Sequence, residues 1–178
     1  MIYYETLSIN DARTTNNYIT IRGAIDIWHN GKVIIDGQNT SRKCIVIEQG
    51  CRSTVKDWIY VKNLYLRRAD AEAFYIHCNV NNVVIDSLDI REENGLEGIK
   101  IISNDDYYLT ENGICAENIV RQNCTIISKS NNLYHEDNCV YVKMATGLNI
   151  HHNYIHQRNK QIGFPPGRTN TLTQYKLT

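Results

Sequence analysis

Short apolar runs that alternate with polar residues recur along most of the chain, and each run stops at a glycine or a polar residue. In VVIDSLDI, Val83 and Ile85 precede Ser87, and Leu88 and Ile90 resume the alternation after it. Alternation with period two predicts β-strands, and the interruption predicts a sharp bend between two of them. The same arrangement predicts bends at positions 37, 63, 87, 123 and 152.

A second set of short strands is predicted between the bends, in CIVIEQ (44–49), AFYIHC (73–78), GIKIIS (98–103) and CVYVKM (139–144). The bends are 26, 24, 36 and 29 residues apart. A repeat of about 25 residues with three short strands is typical of a parallel β-helix, a solenoid whose strands pair with their equivalents one coil away. One such unit cannot bury its apolar face alone, so the coils must stack.

The residue types at the bends suit a turning backbone. Gly37 suits a bend that needs a positive φ angle. Asn63 and Asn123 tolerate left-handed backbone and bond readily to neighbouring main chain. Stacked coils would align these asparagines in a partial ladder, which Ser87 and His152 interrupt.

Arg121 does not fit the pattern, because it occupies the column held by Val61, Ile85 and Ile150, whose side chains should point inward. A buried guanidinium without a partner is costly. Either a β-bulge shifts the register at this point or a carboxylate pairs with the arginine. We expect the bulge.

The amino-acid composition limits the classes of molecule that the protein is expected to bind. The 178 residues fit one domain, and 19 basic residues balance 19 acidic ones, so no net field attracts nucleic acid or an anionic membrane. No apolar run approaches the roughly 20 residues of a membrane span. Residues 1–17 lack the basic and apolar segments of a secretory signal, which leaves a cytosolic protein or a mature or trimmed chain.

The six cysteines are not spaced like a zinc site, because no CxxC pair is present. Several fall at strand positions that favour a small apolar side chain. We therefore predict buried free thiols. The cysteines are Cys44, Cys51, Cys78, Cys115, Cys124 and Cys139.

Over roughly residues 30–160, the repeat and the run IIDGQN resemble the right-handed β-helix of pectate lyases, chondroitinase B, alginate lyases, polygalacturonases and phage tailspikes. The resemblance implies an all-β fold, a right-handed parallel β-helix of about five coils that is short or truncated relative to the family. We predict a cap or strand over 1–31, the solenoid over 32–160 and an irregular tail over 161–178. The resemblance also implies a secreted or periplasmic protein. An uncovered last coil predicts missing coils or self-association.

Outward side chains of a solenoid form rows with one residue from each coil. If Phe74, Ile99 and Val140 point inward, then Tyr75, Lys100 and Tyr141 form one outward row, and His77, Ile102 and Lys143 form the next. His135 lies in the polar insertion 128–137, which has the charges and aromatics of a binding loop. We predict that a saccharide binds to one surface built from several of these residues: Tyr75, His77, Lys100, Tyr141 and His135.

The segment DNCVYVKMATGLNIHHNYIH resembles the surroundings of the catalytic lysine in chondroitinase B and related alginate lyases. The resemblance implies that Lys143 is the base and that Arg168 assists protonation of the leaving oxygen, with Ca²⁺ nearby. Removing the C5 proton of a uronic acid leaves charge on its carboxylate, which cations must neutralise. Calcium prefers oxygen ligands, so the candidate calcium ligands are Glu97, Glu136 and Asp137. The predicted reaction is β-elimination on an acidic glycan.

Two alternatives remain open. One is a non-catalytic glycan-binding or structural β-helix, like a tailspike or adhesin segment, or an inactive fragment. The other is a hydrolase, because EDNCVYVK resembles the DDCIAIK run of polygalacturonases, although Asn138 replaces the second aspartate that inverting hydrolysis uses. His151, His152 and His156 are interpreted as a surface cluster, since their spacing brings ligands together only on a helix.

Overall fold

A computed structural model describes residues 1–10, 17–24, 33–40, 43–48, 56–77, 80–91, 97–102, 116–128, 138–143, 145–157 and 171–175. Every regular element in these ranges is a β-strand. The strands are β1 (Ile2–Tyr3), β2 (Leu7–Ile9), β3 (Ile19–Arg22), β4 (Val33–Asp36), β5 (Ile45–Glu48), β6 (Lys56–Lys62), β7 (Leu64–Arg67), β8 (Glu72–His77), β9 (Val80–Asp86), β10 (Asp89–Arg91), β11 (Glu97–Ile102), β12 (Ala116–Gln122), β13 (Thr125–Ser128), β14 (Asn138–Lys143), β15 (Ala145–His151), β16 (Tyr154–Gln157) and β17 (Thr171–Tyr175).

The strands form three parallel sheets, and the chain visits the sheets in a fixed rotation. The first sheet has the order β1-β4-β7-β10-β13-β16, the second β2-β5-β8-β11-β14, and the third β3-β6-β9-β12-β15-β17. We call three consecutive strands, one from each sheet, a rung. The described strands make five complete rungs and two strands of a sixth, which is compatible with the predicted parallel β-helix.

Apolar residues stack in register along each sheet and form one core. In the third sheet Ile59 pairs with Val83, and Val83 pairs with Ile119. Leu148 follows at the same offset, between the pairs Glu117–Thr146 and Val120–Asn149. All four stacked side chains are buried. Burying one aliphatic side chain of this size contributes about 1.5–3 kcal/mol, and the stacking repeats that gain in every rung.

The predicted bends after the third-sheet strands are confirmed at four positions. Asn63, Ser87, Asn123 and His152 all have positive φ angles, between 50° and 55°. The backbone N–H of Asn63 donates to the carbonyl of Asp86, and that of Ser87 donates to the carbonyl of Gln122. The Asn123 side chain donates to the Asp86 carboxylate rather than to another asparagine.

The fifth member of this column is Gly23, and the prediction of Gly37 as its equivalent was wrong. Gly37 follows β4 in the first sheet, where it approaches the backbone of Arg68. Gly23 follows β3, and its N–H donates to the Lys62 carbonyl just before Asn63. A Cβ on Gly23 would lie 2.0 Å from the Asn63 carbonyl oxygen, so only glycine fits there.

Strand pairing extends into both segments that were predicted to flank the solenoid. The strands β1, β2 and β3 pair in parallel with β4, β5 and β6, so the strand alternative for residues 1–31 applies and these strands form a rung. At the other end, the predicted irregular tail contains β17, which pairs with β15. In its sequence TLTQY, Thr171, Thr173 and Tyr175 are residue types that favour a strand, even though no bend residue of the repeat was recognised next to it.

A buried carboxylate ties two rungs together at the corner that follows the first sheet. Asp36 is 0% exposed, and its Oδ1 and Oδ2 accept hydrogen bonds from Arg68 Nε at 2.7 Å and Arg67 Nε at 2.8 Å. The backbone N–H of Gln38 donates to Asp36 Oδ1 at 2.9 Å. Burial alone would raise the pKa of Asp36, but the bonds from Arg68, Gln38 and Arg67 together lower it.

Arg121 lies in the core without a bulge, so the predicted register shift was wrong. It pairs in register with Ile85 on one side and Ile150 on the other, and it is 0% exposed. No oxygen atom among the residues that the structure describes accepts a hydrogen bond from its Nε, Nη1 or Nη2. Burial lowers the pKa of Arg121, and the nearby Cys124 opposes that shift only in part.

The thiol prediction is confirmed for the cysteines within the described ranges. Cys44, Cys124 and Cys139 are buried thiols that are not joined in disulfides. The Cys44 thiol lies 3.7 Å from the Ile35 carbonyl, and the Cys124 thiol lies 3.2 Å from the Gln122 carbonyl. Cys51, Cys78 and Cys115 lie outside the described residues.

Candidate functional site

The predicted outward rows exist as aligned positions on the second sheet. Lys100 pairs with Tyr75 on one side and Tyr141 on the other, and Ile102 pairs in the same way with His77 and Lys143. Tyr75 alternates along β8 with the core residues Phe74 and Ile76, so it points away from the core, but its neighbours on the sheet cover it and only 7% of it is exposed. We call the outer surface around these rows the second-sheet face; it comprises Lys43, Glu72, Tyr75, His77, Glu97, Lys100 and Tyr141.

A three-residue ion cluster occupies the centre of the second-sheet face. Lys100 Nζ lies 3.1 Å from Glu72 Oε1 and 3.3 Å from Glu97 Oε1. Burial acts to lower the pKa of Lys100, but the charges of Glu97 and Glu72 and the hydrogen bonds to them outweigh burial and raise it. Lys100 is therefore a fixed cation at neutral pH. The predicted calcium ligand Glu97 forms an ion pair with this lysine through Oε1.

Aromatic rings adjoin the cluster. The rings of Tyr75 and His77 stack, with centroids 5.4 Å apart and planes inclined by 26°. Lys43 Nζ lies 3.7 Å from the Tyr75 ring centroid, close enough for a cation–π interaction. His77 Nδ1 lies 3.2 Å from Glu48 Oε1, so Nδ1 carries a proton that it donates to the carboxylate. The two rings are held in place by charged neighbours.

A cleft opens beside these groups. It has a volume of about 280 Å³ and is lined by Thr6, Lys43, Val46 and Glu72. This volume falls just below the range of about 300–1,000 Å³ that is usual for small-molecule pockets. The cleft therefore suits one small polar unit, such as a single sugar residue, rather than a large apolar ligand.

Other predicted site residues are placed only in part. The backbone of Lys143 lies in β14 beside Ile102, but its side chain lies outside the described residues. His135, Glu136, Asp137 and Arg168 also lie outside them. Within the described ranges, no group of three or more histidine, cysteine, aspartate or glutamate side chains could hold a metal ion. The calcium site and the catalytic pair remain predictions.

Sequence analysis missed an aromatic cluster on the third sheet. The ring of Tyr18 meets Trp58 edge-on at 5.4 Å and Tyr60 at 6.4 Å between centroids. Lys62 Nζ lies 4.8 Å from the Tyr60 ring centroid. Two aromatics in DWIY were a partial signal, but Tyr18 comes from the preceding rung. Only the pairing of β3 with β6 brings it close.

The Trp58 backbone adopts a left-handed conformation that is repeated in two further rungs. Its φ angle is 58°, that of the paired position Asn82 is 49°, and that of Gly147 is 61°. Asn82 Nδ2 donates to Asp57 Oδ1 at 2.6 Å, which stabilises this corner. A large side chain with positive φ is unusual, so stacking on neighbouring rungs must hold Trp58 in place.

Asp86 connects the tyrosine cluster to the bends. Its Oδ2 accepts a hydrogen bond from the Tyr60 hydroxyl at 2.7 Å, and its Oδ1 accepts from Ser87 and Asn123. The hydrogen bond to Asp86, followed by burial, raises the pKa of Tyr60 to about 12. Burial raises the pKa of Asp86, but its hydrogen bonds, first that from Tyr60, outweigh burial and lower it.

The histidines at the last bend form a pair. His151 Nδ1 and His152 Nδ1 lie 2.6 Å apart, so one nitrogen donates and the other accepts. The His156 side chain lies outside the described residues.

Comparisons with known proteins add no support to the family resemblance, which depends on the strand pattern alone. No family model, curated protein or solved structure matches this chain. In the part of the chain that the structure describes, no helix is long and apolar enough to span a bilayer.

Proposed function

We propose that the three sheets close into a right-handed parallel β-helix of the pectate-lyase-like type. Parallel strands that are joined by a crossover within one sheet follow a right-handed path in about 98% of cases. Each pair of neighbouring strands in these three sheets is joined by such a crossover. Left-handed bends repeated at the same point of successive rungs support the same fold.

On this scaffold, the proposed function is binding of a polysaccharide on the second-sheet face. The observation that carries the proposal is the Tyr75–His77 stack beside Lys43, at the edge of a cleft lined by Lys43 and Glu72. Tyr75, only 7% exposed, holds the His77 ring, whose side chain is 20% exposed and can pack against the apolar face of a sugar ring. The cations and carboxylates at the cleft bond to hydroxyl and carboxylate groups. The glycan would be extracellular, as the family resemblance implies.

Rows of side chains repeated from rung to rung suit a polymer better than a single small molecule. Neighbouring parallel strands lie about 4.8 Å apart, so the row of Tyr75, Lys100 and Tyr141 extends over about 10 Å. Lys100 Nζ also lies 5.5 Å from the Tyr141 ring centroid, which continues the alternation of ring and cation along the row. Successive sugar units could contact successive rungs.

A second candidate function is β-elimination on an acidic glycan, with Lys143 as base. The observation that favours it is the position of Lys143 in β14, two strands from His77 and at the same level of the second-sheet face. Arg168 keeps its proposed role in leaving-group protonation, and Glu97, Glu136 and Asp137 keep theirs in calcium binding. The hydrolase alternative has no comparable support from the described residues.

Binding is tested by titrating the protein with oligosaccharides of alginate, pectate and chondroitin in a calorimeter. The variant Lys43→Met removes the cation from the Tyr75 ring and is expected to weaken binding at least tenfold. Its matched control is Lys62→Met, which removes a cation from a tyrosine ring on the third sheet and should leave the affinity unchanged. Loss of affinity in the control alone would assign the site to the third-sheet aromatic cluster instead.

The same oligosaccharides, incubated with and without calcium, separate binding from catalysis. A lyase product contains a carbon–carbon double bond and absorbs in the ultraviolet. An increase that disappears in Lys143→Ala would establish the elimination candidate. Binding without any increase in absorbance would leave the non-catalytic function as the correct one.

A further inference from the structure

The strongest unexplained feature of the described residues is a positive charge inside the core. Arg121 is completely buried, and its register is fixed by pairing with Ile85 and Ile150. A guanidinium cannot lose its proton under ordinary conditions, so the charge cannot be removed by titration. Something must compensate this charge, because a desolvated ion without a partner is strongly unfavourable.

The described neighbours of Arg121 do not supply that compensation. No oxygen atom in the described ranges accepts a hydrogen bond from its three side-chain nitrogens. The Cys124 sulfur interacts weakly with the guanidinium through charge and hydrogen bonding, and the Cys139 thiol acts on it electrostatically, but together they offset the effect of burial on the pKa of Arg121 only in part. Burial raises the pKa of Cys124 despite the positive charge beside it, so this thiol stays neutral at physiological pH. Its S–H donates to the Gln122 carbonyl instead.

We propose that the core beside Arg121 binds a small monovalent anion of the halide class. A halide neutralises the guanidinium with a single ion and accepts hydrogen bonds from any direction, so it needs no oriented lone pairs. The neutral Cys124 thiol can turn its S–H from the Gln122 carbonyl to the ion as a weak donor. A divalent or larger anion would carry more charge or volume than the apolar surroundings tolerate, since Ile119, Ile126 and Val140 are fully or almost fully buried around the same core.

The test is thermal unfolding of the whole chain in sodium chloride, sodium bromide or sodium gluconate at equal ionic strength. A ligand that binds only the folded state stabilises it in proportion to the logarithm of its concentration. At 100 times the dissociation constant, the midpoint should rise by about 5–10 °C over gluconate for a chain of this size. Bromide should act like chloride.

Two arginine variants separate the site from general salt effects. Arg121→Met removes the charge but keeps an unbranched side chain, and its midpoint should be the same in halide and gluconate. Arg22→Met removes an exposed arginine from the same sheet and should keep the full halide response. A response of equal size in the wild type and Arg121→Met, or no response in the wild type, contradicts the proposal.

A second measurement covers the case in which Arg121→Met does not fold. Crystals of the wild-type protein grown in sodium bromide should show an anomalous bromide peak within hydrogen-bond distance of the Arg121 nitrogens. A carboxylate there instead of bromide would overturn the proposal, and so would an ultraviolet thiolate band with no bromide peak. Neither measurement involves a glycan, so the outcome is independent of the proposed function.

Discussion

Two fully buried charges lie in different parts of this fold, and their surroundings differ completely. Asp36 ends β4 at a corner, where side chains of the next rung and a free backbone N–H reach it. Arg121 lies within β12, where the backbone groups are used in the ladders with β9 and β15 and the inward side chains are mostly apolar. The corners of a rung can compensate a buried charge, whereas the sheet interiors provide few groups that could do so.

The depth of burial alone therefore does not decide how strongly a buried charge destabilises this protein. Where a buried ion has well-placed partners, the fold is strongly destabilised only if one of those partners is removed. A buried ion without partners is destabilising as it stands, and replacing it with an apolar residue relieves the cost. The difference between the corner and the core can be measured by removing each charge in turn.

The largest effect is expected for Asp36→Asn. The substitution leaves the Arg67 and Arg68 guanidinium groups side by side without their carboxylate, and should cost about 3 kcal/mol of unfolding free energy, measured in urea. The matched control is Asp89→Asn, which breaks a more exposed pair with Arg91 and should cost less than about 1 kcal/mol. Similar small losses in both variants would show that the corner carries no special stability.

A smaller effect of opposite sign is expected for Arg121→Met in halide-free buffer. Removing an uncompensated buried charge in favour of an apolar side chain should stabilise the fold by about 2 kcal/mol. Urea unfolding of the wild type and the variant in gluconate measures the difference. A loss of stability as large as that of Asp36→Asn would mean that Arg121 already has a partner within the protein.

The smallest expected difference is in the acid range. The folded-state pKa of Asp36 lies below its unfolded value of about 3.9. Its ionised form therefore stabilises the protein above that value, and this stability is lost as the pH falls through the folded-state pKa. Between about pH 5 and about pH 3, urea midpoints should fall less steeply in Asp36→Asn than in the wild type. Parallel curves would exclude Asp36 as a source of acid sensitivity.

The sequence predicted the repeat well because the bends depend on local residue types. Asn63, Ser87 and Asn123 interrupt apolar alternation, and they are the positions at which the backbone turns left-handed. Gly23 escaped prediction although its sequence carries the signal, because ITIR precedes it and AIDI follows it with the same alternation as at the other bends. Gly37 was placed in the wrong column because its local sequence resembles that of the other bends.

Side-chain partners were harder to predict because they come from other rungs. Lys100 was expected as a free binding group, but Glu72 approaches it from 28 residues away. Tyr18 and Trp58 were not connected because 40 residues separate them. Arg121 was correctly identified as a misfit from its column, but the choice between a bulge and a carboxylate partner could not be made without the register of two neighbouring strands.

Because the bends are aligned, the molecule can be shortened or lengthened by one whole rung at a time. Leu64 follows Asn63 and Leu88 follows Ser87, and β7 pairs with β10 so that these leucines lie at the same level. Excising residues 64–87 would join Asn63 directly to Leu88 without changing the phase of the remaining strands. Insertion of a copy of the same segment would lengthen the molecule by one strand spacing of about 4.8 Å.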